Sequence, residues 1–401
     1  MRRFNTTGLC VSGRHYMVDV SGRVEEMRAM VWRGDYFCVN RPRQYGKTTT
    51  LSTLKQTLAA ECDVASLSFQ RLSHADFASE ASFVRAICRN VAKAFRALPS
   101  PVAERMREVA RDRRTEWVMD DLFDAFEDWV GASDRTVVLI IDEVDSATNN
   151  QVFLDFLARL RDQYLLREED PAYPAFQSVV LAGVTDVKHL KAKIRPEDQA
   201  RPNSPWNIAA DFDVVMSFDE ADVRGMLADY EADHATGMDV TAVADEVVAW
   251  TGGYPYLVSR ICQLVDERGL AWDCGGINRA VRLLLADDDV ALFESLMGQL
   301  ERRPELKPVL RAMLVRGEQV AYLPYDETQK LLRMHGFCRE RAGRLVVANR
   351  VFETLLCDHL LGEERGGGFR SAGDLGRSRF VRGGRLDMCA VHDKVLWEET
   401  I

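Results

Sequence analysis

Residues 36 to 69 constrain this chain more than any other stretch. A short apolar run, YFCVN, meets a polar turn, RPRQYGK. TTTLSTLKQTLAA follows at helical spacing, and then a second apolar run, VASLSF. That order is strand, loop, helix, strand. The next β-branched run is TVVLII at 136–141, followed by acidic residues, the helical NQVFLDFLARLRDQYLL, and SVVLAGV at 178–184. Strands that alternate with helices predict an α/β fold with a mostly parallel sheet covered on both faces.

From about residue 219 the pattern turns helical throughout. DEADVRGMLADYEADH, VTAVADEVVAW, YLVSRICQLVDERG and INRAVRLLLADDDVALFESLMGQLER all carry apolar residues at three-to-four spacing. Asp219 stands as an N-cap after the strand-like FDVVMSF, and Asp287-Asp288-Asp289 reads as a solvated cap between helical stretches. From Pro304 to about Leu361 the order is helix, helix, β-hairpin turning at Ala342-Gly343, helix, which is the order of a winged-helix domain. Residues 365–385 hold seven glycines and six arginines against one acid, Asp374, as a flexible linker would. The expected domains are therefore 1–211, an α/β core; 212–303, a helical lid; 304–362, a winged helix; and 363–401, a tail.

The loop Arg41-Pro42-Arg43-Gln44-Tyr45-Gly46-Lys47-Thr48 lies between a strand and a helix start, where backbone N–H groups can cradle phosphates. The backbone of Arg43, Gln44, Tyr45 and Gly46 would line the phosphates together with Thr48 and Thr49. Gly46 permits close backbone approach, Lys47 reaches the β and γ phosphates, and the Thr48 hydroxyl ligates Mg²⁺. The pattern GxxxxGK[ST] wants glycine where Arg41 stands. A GK[ST] triplet alone arises by chance in roughly one of five chains this long.

A second motif gives the triplet its weight. VVLII-Asp142-Glu143 puts two carboxylates at the C-terminal end of a buried strand, the edge of an α/β sheet where ligands bind. Asp142 would hold Mg²⁺ or its water, and Glu143 would polarise the water that attacks the γ-phosphate. The next strand, SVVLAGV, ends Gly183-Val184-Thr185-Asp186, which offers the Thr185 hydroxyl as a γ-phosphate sensor. No NKxD follows to select guanine, so the expected cofactors are ATP and Mg²⁺.

The loop RPRQYGKT, the strand VVLIIDEVD, the GVTD segment and the motif TGGYPYLVSR resemble AAA-ATPase-like proteins related to the STAND class of P-loop ATPases, over about residues 3–362. Arginine in place of the first loop glycine is usual in that group. The resemblance implies that His15-Tyr16-Met17-Val18-Asp19 helps enclose the adenine. It also implies that Gly253-Tyr254-Pro255 in the lid contacts nucleotide and that Arg260 serves as a second γ-phosphate sensor. Bottom-up, Gly252-Gly253 before Pro255 is a helix stop and restart, and Arg260 a surface charge. Arg195 and Arg201 are candidates for an arginine supplied to a neighbouring subunit. Many similar proteins continue into a PD-(D/E)xK nuclease through a segment like RLDMCAVHDKV at 385–395; the last thirty residues here contain no ExK after a strand, so no DNA cleavage is expected.

Composition narrows the partners. The balance of 52 basic and 62 acidic side chains, a net charge of -10, argues against coating nucleic acid by bulk electrostatics. A local basic face remains in Lys330, Arg333, Arg339, Arg341 and Arg344, so DNA contact through the winged helix is one partner expectation. A protein partner or a second copy of the chain is another. The nine cysteines never fall at a two-residue spacing, and the seven histidines form no HxxxH or HxH pair, so no structural metal is expected. No run approaches the ~20 apolar residues of a membrane span, which points to a cytoplasmic protein. The reading from sequence is an ATP-hydrolysing switch. The rivals are a DNA-binding module that holds ATP without turnover, and a small-molecule kinase, disfavoured because Glu143 beside Asp142 suits water activation.

Overall fold

The computed structural model describes residues 2–94, 100–113, 116–184, 187 and 206–366. Two compact units divide the chain, one of Met1–Val248, Gly252–Leu284 and Met334–Gly336, the other of Ala249–Thr251, Leu285–Arg333 and Phe337–Ile401.

In the first unit the chain runs through β1 (Arg3–Phe4), β2 (His15–Tyr16), α1 (Ser21–Trp32), β3 (Phe37–Asn40), α2 (Lys47–Leu58) and β4 (Asp63–Ser68). It continues through α3 (Glu80–Ala94), α4 (Ser100–Arg111), α5 (Met119–Ala132), β5 (Val137–Asp142), α6 (Gln151–Glu169) and β6 (Ser178–Gly183). Four strands pair in the order β3-β6-β5-β4, all parallel, so that β6 lies between the strand entering the loop and the strand ending in Asp142. Both C-terminal strand ends then open onto one edge of the sheet.

Alternation of side chains along each strand feeds two cores. Val137, Leu139 and Ile141 of β5, with Val179 and Leu181 of β6, pack with Phe83, Phe123, Trp129, Phe153 and Phe156 on one face. Val138, Ile140, Val180 and Ala182 face the other way, toward Val24, Met27, Leu51, Leu54 and Leu58 of α1 and α2. The uninterrupted apolar run of β5, buried from Val137 to Ile141, is what a strand covered on both faces requires. The stretch between the second and third sequence-visible strands, for which no elements were expected, supplies α3–α5 to the first core.

The strand-like FDVVMSF does not form a strand. Ala210, two residues before it, makes a parallel bridge to Phe37 of β3, and Phe212 stacks on Phe37 at a centroid distance of 5.9 Å. Helices follow as expected: α7 (Glu220–His234), α8 (Val240–Thr251), α9 (Pro255–Glu267) and α10 (Cys274–Leu285). Asp219 caps α7, its carboxylate accepting the N–H of Asp222 at 2.8 Å while Asp222 returns the bond to the Asp219 N–H. The long helical run after Ile277 breaks at Asp287–Asp289, where Asp287 accepts the Asp289 N–H.

The second unit contains α11 (Ala291–Arg302), α12 (Lys307–Leu314), β7 (Val320–Ala321), α13 (Glu327–Met334), β8 (Cys338–Arg341), β9 (Arg344–Val347) and α14 (Arg350–Gly366). Its three strands form an antiparallel sheet in the order β7-β9-β8, with β7 an addition to the expected hairpin. The tail expected at 363–401 lies outside the described residues beyond Gly366. No helix among the described residues is long and apolar enough to cross a membrane. All described cysteines except Cys10 and Cys274 are buried, none in a disulfide.

Candidate functional site

The loop between β3 and α2 is shaped by two left-handed residues, Gln44 at φ 56° and Gly46 at φ 80°. Glycine takes that conformation without steric cost. Lys47 opens α2, so the loop delivers a helix N-terminus to the sheet edge. Its ammonium donates to the carbonyls of Arg41 and Pro42, both at 2.8 Å, and the side chain is buried. Burial lowers the Lys47 pKa, while Glu143, Asp145 and Asp142 oppose that shift.

Across the sheet edge, the Thr48 hydroxyl donates to Asp142 Oδ2 at 3.2 Å. The other Asp142 oxygen accepts the Glu143 N–H at 2.8 Å. Glu143 itself is left-handed, at φ 58°, a strained position for a residue with a Cβ. Burial and the neighbouring Asp142 raise the Glu143 pKa, with Lys47 acting the other way. Asp145 accepts the Val184 N–H at 2.8 Å and so ties the end of β6 to the turn after β5. A Cβ on Gly183 would stand 3.0 Å from that same carboxylate.

Among the described residues, no group of three or more His, Cys, Asp or Glu side chains forms a metal site by itself. Thr48 and Asp142 are hard oxygen donors of the kind Mg²⁺ takes alongside substrate phosphates, and their 3.2 Å separation fits them to share an ion with a nucleotide.

A family model described as an AAA-like domain matches residues 11–354. The chain belongs to that family. The AAA-like domain has a parallel sheet of the P-loop ATPase fold, and a solved structure of the Walker-type ATPase paby2304 of Pyrococcus abyssi aligns with a TM-score of 0.57 at 14% identity, over 88% of this chain and 99% of that one. Cdc6p from Pyrobaculum aerophilum aligns more loosely, with a TM-score of 0.39 at 13% identity over 86% and 94% of the two chains. An uncharacterised WD repeat-containing protein of Synechocystis, slr0143, is 23% identical over 242 residues, or 55% of this chain. The chain spans only 19% of that relative's length.

Arg41, where the loop pattern wants glycine, directs its guanidinium away from the loop of the AAA-like domain. It donates to the carbonyls of Asn40, Phe212 and Val214 and lies over the Phe212 ring at 5.0 Å. The arginine thereby bolts the 212–214 segment to the end of β3, a task glycine has no atoms to perform. Thr49 accepts the Cys10 N–H at 3.2 Å through its hydroxyl, joining the N-terminal segment to α2.

The GGYP turn reaches the loop. The Tyr254 hydroxyl donates to the Arg43 carbonyl, the Tyr254 ring meets Tyr45 edge-on at 4.8 Å, and Pro255 lies 3.9 Å from the position of a Gly46 Cβ. Gly253, at φ 74°, accepts the Phe218 N–H at its carbonyl at 2.8 Å, and a Cβ there would fall 1.8 Å from the Phe218 carbonyl oxygen. Arg260 donates to Gln263 Oε1 at 3.0 Å, one turn along α9.

Tyr16 sits in an aromatic cluster with Phe4 and Tyr230, 1% exposed, its hydroxyl donating to Asp233 at 2.8 Å. Burial and that carboxylate push its pKa up to about 12. Thr185, Arg195 and Arg201 lie outside the described residues. Sequence reasoning missed Asp145 and the Tyr254 hydroxyl bond. The repeated acid in Asp142-Glu143-Val144-Asp145 was the signal for the first, while the second depends on a contact 211 residues apart that no local pattern carries.

Proposed function

We propose that the chain is an ATP-binding and ATP-hydrolysing switch that uses Mg²⁺. The observation that carries this reading is the Thr48–Asp142 pair, 3.2 Å apart at the sheet edge, with Lys47 and Glu143 beside it. Lys47 exchanges its two loop carbonyls for the β and γ phosphates. Thr48 and Asp142 hold the ion, which neutralises phosphate charge when bound. Glu143, its proton affinity raised by burial, orients and deprotonates the attacking water. Thr185, two residues after Gly183 in the sequence, reads the γ-phosphate.

On this reading residues 1–211 are the core, 212–303 the lid and 304–362 a winged helix. Gly253 and Pro255 carry the lid to the nucleotide, Arg43, Gln44, Tyr45, Gly46 and Thr49 line it, the segment around Tyr16 encloses the base, and Arg260 senses the γ-phosphate. The Tyr254 bond to the Arg43 carbonyl supports the lid assignment, because a loop that moves on binding phosphate must move that hydroxyl too. Adenine is the base in the absence of a guanine-selecting motif, and the output is a conformational signal to a partner protein or a second copy of the chain.

Equilibrium binding of a fluorescent ATP analogue tests the nucleotide site. The parent and Glu143→Gln should bind in the presence of Mg²⁺, Thr48→Val should lose the Mg²⁺ enhancement, and Lys47→Ala should bind far more weakly. Equal binding by all four proteins would overturn the assignment.

A further inference from the structure

We propose that Arg41 is a positioning residue that couples occupancy of the phosphate loop to residues 212–217, the segment that joins the sheet to α7. The coupling rests on the ATP reading and is the regulation of that same site.

Every buried carbonyl needs a donor. None of residues 211–217 lies in a helix or strand, so no ladder supplies donors there. Two arginines supply them instead. Arg41 donates to the carbonyls of Phe212 and Val214, at 3.4 and 2.8 Å. Arg23 of α1 donates to those of Val215 and Ser217, at 2.8 and 2.9 Å. The Arg23 guanidinium also lies 5.5 Å over the Phe218 ring and pairs with Asp222 in the first turn of α7, both side chains mostly buried. A guanidinium carries five N–H donors, so it can trade one carbonyl for another as the chain beneath it moves. A segment held in this way suits a hinge, in which a few residues absorb the change in backbone angles.

Arg41 also belongs to the loop. Its N–H donates to the Gly183 carbonyl at 3.1 Å, which continues the pairing of β3 with β6 beyond Asn40. Its carbonyl accepts the Lys47 ammonium at 2.8 Å, as does that of Pro42. One residue therefore meets Lys47 through its backbone and the 212–217 segment through its side chain. These two carbonyls compete with phosphate for the same ammonium. When Lys47 turns to phosphate, the peptide between Arg41 and Pro42 loses that restraint, and a ligand shifts a conformational equilibrium through such differential contacts.

The far end of the segment returns to the loop. The Phe218 N–H donates to the Gly253 carbonyl at 2.8 Å, and Tyr254, next in the chain, donates its hydroxyl to the Arg43 carbonyl. Loop, segment and GGYP turn close a ring of contacts, and a displacement of Arg41 is carried round it to Phe218 at the start of α7. Glycine at position 41 would keep the loop and remove this connection.

Hydrogen–deuterium exchange of the whole chain, read by mass spectrometry over residues 211–219, tests the coupling with and without a saturating non-hydrolysable ATP analogue and Mg²⁺. Exchange there reports local opening, and in the parent it should change when the analogue binds. Arg41→Gly, which matches the loop pattern, should still bind the analogue and lose that change, and Arg41→Lys should recover part of it. Arg23→Ala frees the Val215 and Ser217 carbonyls, so its exchange should be faster throughout while the response to the analogue remains. Three results overturn the coupling alone. They are a parent that binds the analogue with no change over 211–219, an Arg41→Gly variant that responds as the parent does, and an equal loss of response in Arg41→Gly and Arg23→Ala, which places the effect in general loosening. A parent that does not bind the analogue overturns the ATP reading and the coupling with it.

Discussion

Glu143 holds a conformation and a charge state that its surroundings disfavour. It is left-handed, partly buried and next to Asp142, and burial with that neighbour raises its pKa. A carboxyl whose native pKa exceeds its unfolded value of about 4.3 binds more protons when folded over the window between the two, so native stability falls as pH rises through that window. Glu143→Gln should therefore melt higher than the parent at neutral pH. The gain should shrink as pH falls and vanish below the ordinary carboxylate range, as read by thermal unfolding over a pH series. A gain that is constant with pH would place the effect in packing instead. The placement of Gly46, Lys47, Thr48, Asp142 and Glu143 at one sheet edge was legible in the sequence because each lies within a few residues of a strand end. Arg41 was legible only as a departure from pattern, since the carbonyls that occupy it belong to Phe212 and Val214, far along the chain.

At the scale of elements, the GGYP turn is constrained by what it touches. Gly253 combines a positive φ with a position whose Cβ would overlap the Phe218 carbonyl. Gly253→Ala should cost roughly 1–3 kcal/mol, the usual range for overpacking, and should weaken ATP binding if the turn is the route from lid to loop. Denaturant unfolding with the nucleotide titration checks both, and a neutral substitution would contradict the placement. The four strands of the sheet were visible as apolar runs because both faces are buried. FDVVMSF carried the same signal without becoming a strand, because alternation reports burial and not ladder bonds: Val214 and Met216 are buried, yet the stretch meets β3 through the Phe212–Phe37 stack and the Arg41 guanidinium, and the parallel bridge to Phe37 comes from Ala210 just before it. The helices α3–α5 have strong amphipathic faces, and it was their lack of a chemical motif that left them unread.

The whole molecule places a helix N-terminus, a lysine, a threonine and two carboxylates on one sheet edge of an AAA-like domain. Its aromatic cluster of Phe4, Tyr16, Tyr230 and His234 ties the N-terminal strands to α7, which pattern in the sequence could not reveal because the partners are more than two hundred residues apart. The central claim is that this edge hydrolyses ATP. Steady-state phosphate release from ATP and Mg²⁺ by the whole chain, beside Lys47→Ala and Glu143→Gln, tests it most directly. The account predicts turnover by the parent, a fall of roughly 10²–10⁴-fold in Glu143→Gln, as for removal of a general base, and none above background in Lys47→Ala. Phosphate release that is equal in the parent and in both variants would contradict it.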